Sequence, residues 1–166
     1  MPVPFRSAVL IAVLGLMPVD GAWAEGFHAE PSLACDFLAE EGLRTRGGYR
    51  ASGDVHRCRS QRRNLIGGGN VNNSIRFVAQ GNADAVKELR LELQVNSGSA
   101  VQRAHRQLVG YGNALLQAAM GTEMPDEIEA AILSAVSGSW SVGGSTVSLE
   151  RIVLGGPGYE LRLRIQ

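Results

Sequence analysis

Aromatic residues make up only 5% of this chain, lysine occurs once, at Lys87, and cysteine twice, at Cys35 and Cys58. With so few aromatics the core must be built mainly from Leu, Val, Ile and Ala, within an apolar fraction of 45%. Net charge is also missing: sixteen basic side chains meet sixteen acidic ones over 166 residues. A neutral chain has no overall field to steer a polyanion, which argues against a nucleic-acid partner. After residue 24 no apolar run approaches the roughly 20 residues that a membrane-spanning helix needs. The length suits one domain.

The N-terminus reads as a targeting segment. Arg6 supplies a positive start, Ala8 to Met17 is an unbroken apolar run, Pro18 breaks it, and Ala22-Trp23-Ala24 has the small-x-small pattern of a cleavage site. Residues 1–24 are therefore expected to be a cleaved signal peptide, and residues 25–166 a single exported domain, periplasmic or secreted. Export decides how the cysteines are read. In an oxidising compartment a lone pair reads as a disulfide, and neither the close spacing of a redox motif nor a set of metal ligands accompanies Cys35 and Cys58. No metal and no cofactor are expected.

Hydrophobic period gives the coarse order. Ser32 to Glu41 reads as a short amphipathic helix behind Pro31, stopped by Gly42. A strand is expected from about Tyr49 to Arg59, then a turn-rich connection through Gly67-Gly68-Gly69, then strands at Ser74 to Gln80 and Val86 to Val95. In the last of these Leu89, Leu91, Leu93 and Val95 alternate with Arg90, Glu92 and Gln94. Ser99 and Gln102 form a capping-box pattern ahead of a long helix ending near Gly121, within which Gly110 and Gly112 suggest close packing. Pro125 opens a second helix with Asp126, Glu127 and Glu129 in its first turn. Trp140 to Val142, Thr146 to Leu154 and Tyr159 to Ile165 read as strands, with a bulge expected where the apolar face switches between Leu149 and Ile152. The expected fold is α+β: one antiparallel sheet of about five strands, two to three helices packed on one face, in the order α-βββ-αα-ββ(β).

Helix, three strands, helix and two strands, over roughly residues 31–165, is similar to the type III secretion chaperone fold, whose members are dimeric and bind partner segments. The extra helix at Pro125 and the signal peptide depart from that pattern, so the resemblance implies a fold and no function.

Catalytic signatures are largely missing. His28, His56 and His105 each lack a second ligand at helical spacing and read as surface or boundary residues. Ser139 to Gly143 lacks the first glycine of a nucleophile elbow, and Gly67 to Gly69 lacks the lysine of a phosphate loop. The strongest anomaly is a run of seven arginines between Arg44 and Arg63 against one acid, Asp54. The plainer expectation is a solvated strand balanced by Glu30, Asp36, Glu40 and Glu41 on the neighbouring helix. The functional one is a surface for an anionic partner, formed by Arg50, Arg57, Arg59, Arg62 and Arg63, since guanidinium forks bind carboxylate and phosphate in two-pronged fashion. The leading expectation is a non-enzymatic binding module for an unknown protein or an anionic envelope component. The alternative is a hydrolase-type envelope enzyme using scattered carboxylates or His56, which would bring two or more of His56, Asp54, Glu41 and Asp36 together in a deep pocket. Mass spectrometry of exported protein should show a chain beginning at Glu25 and lighter by two hydrogens than its reduced form; free thiols would remove the staple.

Overall fold

Strict alternation in one strand sets the two sides of the molecule. In the computed structural model, which describes residues 27–65, 72–96 and 98–166, the strand β5 (Val86–Val95) turns Leu89, Leu91, Leu93 and Val95 into the core and Arg90, Glu92 and Gln94 to the other face. The expected signal peptide and the triple-glycine loop lie outside the described residues. The remaining strands are β1 (Thr45–Ser52), β2 (Val55–Ser60), β3 (Arg63–Asn64), β4 (Ser74–Gly81), β6 (Gly138–Val142), β7 (Ser145–Val153) and β8 (Tyr159–Ile165). The helices are α1 (Pro31–Asp36), α2 (Val101–Met120) and α3 (Asp126–Ser134).

All strands join one antiparallel sheet in the order β1-β2-β4-β5-β8-β7-β6, with β3 also pairing with β4. The inward residues of the sheet and the apolar faces of all three helices form one core cluster, including Phe77, Leu91, Leu161, Leu38, Leu108, Leu115, Ile128 and Ile132. The α+β class and the single sheet with helices on one face therefore hold, while the strand count rises from about five to eight. The segment expected as one strand from Tyr49 to Arg59 is a hairpin. Ser52 pairs with Val55, leaving Gly53 and Asp54 as a two-residue turn in which Gly53 takes φ +65°. The first helix is also shorter than expected, ending at Asp36 before a turn that closes on Gly42 at φ +82°.

No bulge divides β7, whose pairing with β8 runs in unbroken register from Val147–Ile165 to Val153–Tyr159. The apolar pattern switches there because the helix cover ends: Arg151 faces the helix side and stacks its guanidinium 4.4 Å from the centre of the Tyr159 ring. The long helix starts one residue later than the Ser99 pattern predicts, with Ala100 as N-cap and no side-chain cap. Gly112 does mark a close approach, since a Cβ there would lie 2.8 Å from Leu163; Gly110 faces open space. His105 is a correction of a different kind. It is buried, with Nδ1 3.0 Å from the Leu133 carbonyl and Nε2 2.6 Å from the Tyr159 hydroxyl, so both ring nitrogens are satisfied between α2, α3 and β8.

Cys35 on α1 and Cys58 on β2 form a disulfide with a Cα separation of 5.9 Å. It closes a span of 23 residues and clamps the short first helix, which alone is too short to be stable, onto the sheet. A bond of this kind forms and persists in an oxidising compartment, which points to an exported protein. No described helix is long and apolar enough to cross a membrane. Replacing both cysteines by alanine is expected to lower the unfolding free energy by about 3 kcal/mol. The denaturant midpoint reads this directly, and an unchanged midpoint would contradict it.

Candidate functional site

Two irregularities in the first strands assemble the arginines. Between β1 and β2, Arg46 faces Arg59 and Arg50 faces Arg57, so four residues on β1 span two on β2. The two extra residues are accommodated at Gly47 and Gly48, which take φ +80° and +65°. Arg50 folds back over this bulge, close enough that a Cβ at Gly47 would lie 3.2 Å from its guanidinium carbon. On the other side, Arg59 faces Val78 but Arg63 faces Ile75, so the β2–β3 segment carries one residue more than β4. The buried Ser60 hydroxyl fills this gap, accepting from the Phe77 N–H at 3.0 Å and donating to the Gln61 carbonyl at 3.0 Å.

Arg46, Arg50, Arg57, Arg59, Arg62 and Arg76 all line one groove of about 620 Å³ on the sheet face away from the helices. The rest of its lining among the described residues is Gly48, Ala51, Ser52, Cys58, Ser60 and Gln61, which include no acid and no histidine. Of the sequence-expected residues, the structure brings together Arg50, Arg57, Arg59 and Arg62. Arg63 is turned by the second bulge to the helix side, where it donates to the Glu41 carbonyl at 2.7 Å; it lines an adjoining groove of about 440 Å³ with Gly42, Arg44, Arg46, Ser60, Gln61 and Arg62. Sequence reasoning left Arg46 and Arg76 out of the set. Gly47-Gly48 was the signal for the first, and the inward alternation of Ile75 and Phe77 around it was the signal for the second.

The expected balancing acids do not balance. Glu30 caps α1, accepting from the Ser32 and Leu33 N–H groups at 3.1 and 3.0 Å, and none of Glu30, Asp36, Glu40 and Glu41 forms an ion pair with the run among the described residues. They belong to α1, its N-cap and the turn after it, and α1 packs on the opposite face. The compensating carboxylates lie instead across the outer face of β5, β7 and β8. Glu92 meets Arg62, Arg76 and Arg90; Glu160 meets Arg62 and Arg162; Glu88 meets Arg90; Glu150 meets Arg164. Among the described residues, nine arginines on this face thus share four glutamates. Among the described residues, Arg46, Arg50, Arg57 and Arg59 form no ion pair.

Glu92 is the hub of this array, with its side chain only 4% exposed. Burial pushes its carboxyl up, but the hydrogen bond from Arg76 and the charges of Arg76, Arg90 and Arg62 outweigh it and hold the group below the ordinary glutamate value of 4.5. Residues suited to the hydrolase alternative do not converge on either groove. His56 lies on the helix side against Tyr49, ring centres 5.9 Å apart, and Asp54 sits in the hairpin turn. No group of three or more metal-ligating side chains occurs among the described residues.

Comparison with protein-family models, with curated proteins and with solved structures finds no significant match to this chain. The likeness in element order to type III secretion chaperones accordingly carries no argument about function.

Since Glu92 is held low in the fold, its contribution to stability is complete above the unfolded glutamate range and is lost as pH falls through the depressed folded value. Glu92→Gln should cost on the order of 2 kcal/mol at neutral pH by leaving three arginines short of a partner. It should also flatten the loss of stability between neutral and acid pH. Denaturant titrations at several pH values read both effects.

Proposed function

We propose that this protein is a periplasmic or secreted, non-enzymatic binding module whose arginine groove receives an anionic partner. One observation carries the reading: four arginines, in two pairs that face each other in the register of β1 and β2, line a groove without a single acidic side chain among its described lining residues. Like charges directly across an antiparallel pair are destabilising. Among the described residues no acid pairs with them, although glutamates do pair with the arginines of the neighbouring columns. An anion from outside the chain would complete the set by charge-assisted hydrogen bonds.

The disulfide supports an exported setting, and the described lining of the groove, six arginines with small and polar residues and neither histidine nor carboxylate, suits binding better than hydrolysis. Because the chain is neutral overall, attraction to an anionic surface has to come from a local patch. At neutral pH and low salt the protein should be retained on phosphocellulose. A variant carrying R46A, R50A and R59A should pass through. A charge-matched control carrying K87A, R103A and R106A, all exposed positions away from the groove, should be retained like the wild type. Equal behaviour of the two triple variants would reject the groove as the anionic contact.

A further inference from the structure

The arrangement of the four uncompensated arginines specifies more than negative charge. On a regular strand Arg46 and Arg50 would stand about 13 Å apart, four residues at the usual rise. The Gly47-Gly48 bulge instead sets them opposite Arg59 and Arg57, which are two residues, or about 6.6 Å, apart on β2. The result is two arginine pairs, each spanning adjacent strands. A carboxylate has two oxygens and is filled by one guanidinium fork, whereas a phosphoryl group offers three acceptor oxygens and close to two charges, enough for two forks. The groove also lacks the aromatic or aliphatic anchors on which a peptide partner usually depends, its only apolar contributions being Ala51 and Cys58.

We infer that the ligand carries two phosphoryl groups on a short bridge, one clamped by Arg46 and Arg59 and the other by Arg50 and Arg57. This rests on the groove being an anion site and goes on to name the chemistry. The same chemistry occurs in a soluble bisphosphate and in the headgroup of a bisphosphorylated lipid. Arg62 and Arg76 flank the clamp with part of their charge already committed to Glu92 and Glu160, so they favour the ligand without defining its spacing.

Titration calorimetry of the oxidised protein at fixed ionic strength, with glycerol bisphosphate, inorganic phosphate and glutarate as probes, tests the inference. Glycerol bisphosphate is expected to bind about tenfold or more tightly than either of the others, the equivalent of one added charge-assisted contact set. R50A and R59A, which break one pair each, should both reduce it to the level of inorganic phosphate. R50K with R59K keeps the charge, removes the forks, and should lose the same preference. Phosphatidylcholine vesicles with and without phosphatidylinositol 4,5-bisphosphate, whose headgroup carries two neighbouring phosphomonoesters, form the second arm. Binding only in the vesicle arm assigns the lipid headgroup as source, and binding in the soluble arm assigns the free bisphosphate. Phosphate, glutarate and bisphosphate binding equally well, with loss in both alanine variants, would overturn the two-phosphoryl inference and leave the anion groove standing. No binding of any probe in either arm would overturn both.

Discussion

Antiparallel pairing of β5 with β4 on one side and β8 on the other is the constraint on which the rest of the molecule depends. With side chains alternating at a period of two, placing Leu89, Leu91 and Leu93 under the helices commits Arg90, Glu92, Arg76, Arg162 and Arg164 to the opposite face. A one-residue slip would exchange the two sets. Once that register is fixed, the outer face has to accommodate a lattice of charge, and it does so unevenly. Glutamates neutralise the central and distal strands, and the supply ends at β4.

Beyond β4 the architecture preserves the imbalance. The Ser60 bulge turns Arg62 outward to the Glu92 and Glu160 carboxylates and turns Arg63 inward to the Glu41 carbonyl. The glycine bulge in β1 draws Arg46 and Arg50 toward one another against β2. The Cys35–Cys58 bond fastens β2 to the first helix between Arg57 and Arg59, holding the strand in place from the core side. Each device acts on backbone geometry, and together they keep like charges close in a groove instead of letting them spread along an extended edge. An edge strand bearing arginines and a glycine bulge is also poorly suited to pairing with a second sheet, which protects the exposed side of β1 from edge-to-edge association.

Much of this was legible in the chain. The clean alternation of Val86–Val95 and Tyr159–Ile165, the helical spacing through Leu108 and Leu115, and the cysteine pair in an exported context were enough to expect the class, the sheet, the helix side and the disulfide. What escaped depended on single backbone positions. Gly53-Asp54 makes a hairpin out of what alternation alone reads as one strand, because a two-residue turn leaves almost no gap in the pattern. The β2–β3 bulge sends Arg63 to the other face, a parity change that cannot be read from spacing. His105 was expected at the surface or boundary because it lacks a second ligand at helical spacing, yet its own face of the helix turns away from Arg103 and Arg106 and meets Tyr159. The arginine run was visible as composition, and its division into compensated and uncompensated members required the sheet order, since Glu92 and Glu160 lie far away in sequence.

A cluster of like charges kept for a ligand should be a cost to the folded state when the ligand is absent, in the way binding sites commonly trade stability for function. Arg46 and Arg50 lie on the edge strand, where their side chains cover little of the core, so their charge can be removed with little loss of packing. Chemical denaturation of the R46Q/R50Q variant and the wild type, in chloride buffer free of phosphate, is therefore the most direct measurement. If the groove exists for an external anion, the variant unfolds at the same or a higher denaturant concentration than the wild type. A clearly lower midpoint for the variant would show that these arginines serve the fold itself and would contradict the account.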